Sequence, residues 1–176
     1  MKVTIAPSLP SLSRTREPER ATIRVAAVQF AWREDAAAHS ANIEQAIREA
    51  KRNGAQVVFL PELTLSRYPA DVCPTGVPVE TAEDLATGPT MTLITALAKE
   101  LGIYIHASMF EAKGFADGRG LNTAVIVDPT GNLVGATPKL HIPVTEGYFE
   151  DQYFQPGPNN TPYPVYELDS IGSPKV

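Results

Sequence analysis

The chain has 176 residues, 43% of them hydrophobic, with 20 acidic against 15 basic side chains and a formal net charge of −5. That length suits one domain with a real core, and the acidity argues against a nucleic-acid binder, which needs a basic footprint. The single cysteine, Cys73, rules out an internal disulfide framework and suits a reducing cytoplasm, and no apolar run approaches the ~20 residues of a membrane span.

Residues 1–20 mix prolines, serines and both charges without periodicity, so they read as a flexible leader before one domain over 21–176. The apolar stretch 3–6 is too short for a signal peptide. A strand is expected over 23–30, where Ile23, Val25 and Ala27 alternate. Asp35 can cap a helix over 36–53 whose Ile43, Ala46, Ile47 and Ala50 share one face. Gly54 stands where a left-handed residue closes a helix. The strand 56–60 follows, completing a β-α-β unit with parallel strands. The stretch 64–88 is long and rich in proline and acid, a length that marks functional or disordered loops. Pro89 suits the first turn of a helix over 89–101, with Leu93, Ala96 and Leu97 inward and Gly102 as its stop. Strands follow at 103–110, 121–127 and 133–137, with a hairpin loop at 114–120 and a strong turn at Asp128-Pro129-Thr130-Gly131-Asn132. A second long loop runs to Pro162, then a sixth strand over 163–168. The expected class is α/β: a mixed sheet with two main helices on one face. The other face is left to further polypeptide or another subunit.

The chemistry concentrates at two strand ends. In Val57-Val58-Phe59-Leu60-Pro61-Glu62-Leu63, a buried strand stops at a proline and presents a carboxylate at its carboxyl end, where open α/β sheets place their crevices. The strand 133–137 stops the same way at Pro138 and presents Lys139. Taken singly, each is an ordinary solvated residue. Together, a glutamate can move protons while an ammonium stabilises an oxyanion. Such a pair needs an activated nucleophile. Cys73 lies in a loop before Pro74, where nothing nearby supplies the lowered pKa of a reactive thiol, so it reads as a bystander. His39, His106 and His141 have no metal spacing among themselves or with Cys73. His39 reads as helix surface, His106 as a satisfied core or crevice histidine, and His141, two residues after Lys139, as a shaper of the site. Tyr148, Phe149, Tyr153 and Phe154 either line a substrate mouth or pin the long loop to the sheet.

The segments Ile23-Arg24-Val25-Ala26-Ala27-Val28-Gln29, Phe59-Leu60-Pro61-Glu62, Asn122-Thr123-Ala124, Asp128-Pro129-Thr130-Gly131 and Pro138-Lys139-Leu140-His141-Ile142-Pro143, in this order, resemble the nitrilase superfamily of carbon–nitrogen hydrolases. The resemblance covers roughly 23–168. It implies a portion of a four-layer αββα sandwich, with Glu62 as general base, Lys139 as oxyanion and positioning group, and Glu150 as a further glutamate orienting lysine and substrate. Tyr68, His141, Tyr148, Phe149 and Tyr153 are the candidate substrate-binding residues, and no metal or organic cofactor is implied. The family's nucleophilic cysteine lies on a strand following the stretch 171–176, and no cysteine follows Lys139 here. The chain therefore reads as an N-terminal portion, inactive alone, of a homo-oligomeric enzyme that hydrolyses amides or N-carbamoyl amines through a Cys-Glu-Lys thioester route. The alternative is a non-catalytic remnant that binds ligand or pairs with a complete subunit.

The segment from Gly147-Tyr148-Phe149-Glu150 to Gln155-Pro156-Gly157 resembles that of N-carbamoylputrescine amidases. Charge agrees: between Lys139 and Pro174 there is no arginine and no second lysine, but there are Glu146, Glu150, Asp151, Glu167 and Asp169. A substrate carboxylate calls for a guanidinium clamp, whereas a cationic amine tail suits an acidic mouth. Arg67, beside the Glu62 loop, is the one candidate clamp against this.

Overall fold

The structure is a computed structural model that describes residues 1–7, 12, 21–160 and 162–176. Most of the expected leader, residues 8–11 and 13–20, lies outside the described residues. Five strands form one mixed sheet in sequence order: β1 (Val25–Ala27), β2 (Val57–Phe59), β3 (Tyr104–Glu111), β4 (Leu121–Val127) and β5 (Leu133–Pro138). β1, β2 and β3 run parallel, while β4 pairs antiparallel with β3 and with β5. The β-α-β unit therefore exists as the alternation of strand and helix implied, but its two strands are only three residues long.

Two helices carry the covered face. α1 (Ala36–Arg52) starts at Asp35, whose carboxylate accepts from Ala38 N at 2.6 Å, replacing a bond the first turn cannot make internally. α2 (Pro89–Leu101) starts with proline in its first turn, and Glu83 caps it from outside the helix, accepting from Thr90 N at 2.7 Å and Thr90 Oγ1 at 2.8 Å. Gly54 (φ +85°) and Gly102 (φ +61°) follow the two helices in the left-handed conformation that a side chain disfavours. Ile43 and Ile47 of α1 and Met91, Ile94 and Leu97 of α2 close on Val58, Ile105, Ala107, Met109, Val125 and Val127. These strand residues share one side because alternate residues point alike. Burial of each such side chain stabilises the fold by roughly 1.5–3 kcal/mol, so this layer is the main core. Within α2, Leu97 is inward as expected and Leu93 packs against the core from a partly buried position, but Ala96 is exposed. The inward stripe runs through Met91, Ile94, Leu97 and Ala98.

The opposite face presents Val57, Phe59, Tyr104, His106 and Ile126. The expected sixth strand over 163–168 does not join the sheet. Instead, residues 166–176 fold into a small hairpin, with Tyr166 and Val176 exchanging backbone hydrogen bonds and Glu167 bridging Lys175. Leu168, Tyr166 and Ile171 lie over Val57, Tyr104 and Ile126. The three prolines at 158, 162 and 164 remove the donors a ladder needs, which explains why an apolar alternation here packs without pairing. So the face is partly covered by this chain itself.

Two further readings change. His39 is not on the helix surface but 1% exposed. Its ring lies 5.3 Å from Phe30 and 4.2 Å from Trp32, and Nε2 meets Thr64 O at 3.1 Å. His106 is not fully satisfied: its buried Nδ1 has no hydrogen-bond partner among the described residues.

Two predictions follow from the second face. A Cβ added at Gly135 would lie 2.2 Å from the Tyr166 ring, so Gly135→Ala should lift Tyr166 off the sheet and destabilise by about 1–3 kcal/mol, as overpacking does. Chemical denaturation would show it, and unchanged stability would refute the packing. Burial holds the His106 imidazole below its ordinary value. The unfolded chain thus takes up a proton below ~6.5 that the folded chain refuses. Stability from this group is full above that pH and falls as pH drops toward the folded value. Denaturation midpoints at pH 7.5 and pH 5 should therefore differ less in His106→Phe than in the native chain.

Candidate active site

Glu62 leaves the sheet at the end of β2. Pro61 ends the strand, and the next turn closes on itself, with Thr64 Oγ1 donating to Pro61 O at 2.9 Å and Ser66 N to Leu63 O at 2.9 Å. Leu63 holds φ +49° and is 2% exposed. Such a conformation costs a non-glycine residue of order 1 kcal/mol or more and persists only when the surroundings hold it. Here the side chain is wedged among Ala70, Phe110, Tyr153 and Phe154. The turn is also sewn to β3, since Thr64 N donates to Ser108 O at 2.9 Å and Ser108 N to Thr64 Oγ1 at 3.1 Å.

Lys139 follows β5, and its backbone N donates to Asn122 O on β4 at 2.7 Å. The strands ahead of Glu62 and Lys139 are not neighbours, since β3 and β4 lie between them. The two residues meet because the 61–64 turn runs beside the middle of β3, bonded at Ser108, and because both side chains are long. Glu150 comes from α3 (Glu150–Tyr153), a single turn at the middle of the 140–162 loop. That loop is anchored by Phe149 N to Ala70 O at 2.7 Å, Gln155 N to Gly120 O at 2.8 Å and Gly157 N to Lys139 O at 2.9 Å.

The three charged groups converge. Lys139 Nζ lies 2.8 Å from Glu150 Oε2 and 3.3 Å from Glu62 Oε1. Burial works against the ammonium, but the Glu150 hydrogen bond and the fields of both carboxylates outweigh it, so Lys139 sits above the usual lysine range. The Glu62 side chain is 50% exposed and that of Glu150 only 7%. Glu62 can therefore meet an incoming molecule, while Glu150 is an internal anchor. Tyr68 OH donates to Glu150 Oε1 at 2.8 Å. Burial, then that bond, pushes its phenol far above the ordinary range, so Tyr68 stays a neutral donor.

The other expected site residues divide. Tyr148 is exposed and stands edge-on to Tyr68, with centroids 6.5 Å apart, on the open side of the group. Tyr153 and Phe149 belong to the apolar cluster under the loop, and Tyr153 OH donates to Val72 O at 3.0 Å. They pin the loop, as does Phe154. His141 is exposed and pairs with Tyr163 OH at 3.2 Å, and among the described residues it forms no hydrogen bond with the three charged groups. Cys73 is exposed, with Sγ 3.3 Å from Gln152 Oε1. Arg67 is engaged by Asp71 in a two-pronged ion pair, one arm 2.7 Å long.

Sequence reasoning missed Asn122 and Ser108. Asn122 is 4% exposed, donates from Nδ2 to Glu62 Oε1 at 2.5 Å and accepts at Oδ1 from Ser108 Oγ at 3.1 Å. The available signal was two small polar residues inside otherwise apolar strands, which need each other or a ligand once buried. Among the described residues no cluster of histidine, cysteine or carboxylate side chains is arranged to hold a metal ion, and no helix is long and apolar enough to cross a membrane.

Residues 24–175 match the family model described as carbon-nitrogen hydrolase. The chain is 33% identical over 145 residues to an N-carbamoylputrescine amidase from Solanum lycopersicum, which covers 82% of this chain and 46% of that protein. It is 33% identical over 139 residues to a citrullinase from Francisella tularensis, covering 78% of this chain and 46% of that protein. The fold is similar to a carbon-nitrogen hydrolase crystal structure from Helicobacter pylori G27, with TM-score 0.65 and 25% identity over 78% of this chain and 45% of the other. The chain thus spans about half the length of the curated relatives it matches. Its fold is the corresponding part of the nitrilase sandwich, a mixed sheet with two main helices on one face, and by the match across 24–175 the chain belongs to the carbon–nitrogen hydrolase family.

Proposed function

We propose that this chain supplies the base, lysine and second carboxylate of a hydrolytic site for a ureido or amide group, with a cysteine thiol contributed by polypeptide outside the 176 residues. The observation that carries this reading is the Lys139 ammonium held between Glu150 at 2.8 Å and Glu62 at 3.3 Å. In the first step the thiol proton passes to Glu62 as sulfur bonds to the carbonyl carbon, and the charge gathering on the carbonyl oxygen faces Lys139. The carbon–nitrogen bond then breaks while Glu62 returns the proton to the departing amine or ammonia, leaving a thioester. Water, deprotonated by Glu62, attacks that thioester, and the proton goes on to the leaving thiolate. Glu150, fixed by Tyr68, keeps the ammonium in register and charged throughout.

The reading favours N-carbamoyl amines over substrates bearing a carboxylate. N-carbamoylputrescine and citrulline both carry a ureido group, but citrulline adds a carboxylate. Arg67, the one candidate clamp, is already paired with Asp71. The exposed Tyr148 ring beside Tyr68, with Glu146 and Asp151 on the same loop, suits an ammonium tail through ring and carboxylate attraction. A cytoplasmic location and self-association of the complete protein belong to the same reading. They rest on the lone cysteine and on the sheet edges at β1 and β5.

Ammonia release from N-carbamoylputrescine, citrulline and simple amides tests the proposal. The 176-residue chain should show no turnover, and Glu62→Gln in the complete protein should reduce kcat by about 10²–10⁴-fold, the usual contribution of a positioned acid–base group. Turnover by the short chain that survives Cys73→Ala but not Glu62→Gln would refute the placement of the nucleophile.

A further inference from the structure

Asn122 carries no charge, yet it touches two of the three charged residues. Its side-chain Nδ2 donates to Glu62 Oε1 at 2.5 Å, and its backbone carbonyl accepts from Lys139 N at 2.7 Å. The amide orientation follows from chemistry: an ionised carboxylate only accepts, so the NH2 end must face Glu62 and the oxygen must face Ser108. Ser108 occupies the diagonal position on the neighbouring strand, since its direct partner is Ala124 and Phe110 is opposite Asn122. Its backbone exchanges two hydrogen bonds with Thr64, two residues after Glu62. The links thus form a closed ring, Glu62 to Asn122 to Ser108 to Thr64 and back along the chain. Glu62 Oε1 receives both Asn122 and Lys139. Among the described residues, no hydrogen bond engages Oε2.

We propose that Asn122, held by Ser108, is the positioning residue that fixes the Glu62 carboxylate and makes Oε2 its proton-transferring atom. This rests on the assignment of Glu62 as the base. With Oε1 occupied by two donors, the half-exposed carboxylate keeps Oε2 free of hydrogen bonds among the described residues. The same asparagine ties β4 to both strand ends, so acid and lysine are set by one buried side chain and its own backbone.

The experiment is the measurement of kcat and KM for N-carbamoylputrescine hydrolysis by the complete protein containing this chain, in native form and as Asn122→Ala, Asn122→Asp, Ser108→Ala and Glu62→Gln. Thermal unfolding of each variant is recorded alongside. Asn122→Ala should reduce kcat about 100-fold, as misplacement of a catalytic group does, with little change in KM. Asn122→Asp should be at least as impaired, since it sets a second carboxylate against the first. Ser108→Ala, which leaves the Asn122–Glu62 bond in place, should show a smaller loss in the same direction while remaining folded. Losses confined to KM, or losses that track the unfolded fraction, overturn the inference. If Glu62→Gln retains native turnover, the base assignment has failed and this inference falls with it. If Glu62→Gln is inactive and Asn122→Ala keeps the native kcat, only the positioning role has failed.

Discussion

The Lys139 ammonium is the constraint on which the rest of the site depends. Two carboxylates brought together without a cation would repel, and one would have to take a proton. With the ammonium between them, at 2.8 Å and 3.3 Å, both can face one point in space. The loop over 140–162 is long because its central turn must carry Glu150 back over the end of β5. Its backbone anchors at Ala70, Gly120 and Lys139 and its aromatic residues packed beneath it serve that return. The left-handed Leu63 serves the other side, turning the chain out of β2 beside β3 so that Glu62 reaches the same point.

The two carboxylates are chemically alike but differently housed. Glu150 has both oxygens engaged, one by Tyr68 and one by Lys139, and lies almost out of contact with solvent. Glu62 keeps half its side chain exposed. A group with both oxygens engaged is suited to holding, and one with a free oxygen at the surface is suited to exchanging a proton. That division rests on burial and hydrogen bonding alone.

How much of this was legible in the sequence depends on whether the signal was local. Helix limits were read to within a residue because Asp35, Pro89 and Gly102 act on their immediate neighbours. The convergence of Glu62, Lys139 and Glu150 followed from strand ends and from motif order. Asn122 and Ser108 were passed over because a polar residue in a strand announces burial only once its face is known. His39 was misplaced for the same reason: its helix surface is covered by Phe30 and Trp32, which arrive from before the helix. The alternation over 163–168 looked like a strand, but prolines before it and within it deny it a ladder, and only the tertiary structure shows it lying on the sheet instead.

The central claim is that Lys139 remains an ammonium because two carboxylates hold it. The most direct measurement is the pH titration of the Lys139 side-chain nitrogen by NMR in protein labelled at lysine. The account predicts a midpoint above the ~10.4 of an unperturbed lysine, moving down in Glu150→Gln, where one of the two neighbouring anions is lost. A midpoint below that of a free lysine, or one indifferent to Glu150→Gln, would contradict it.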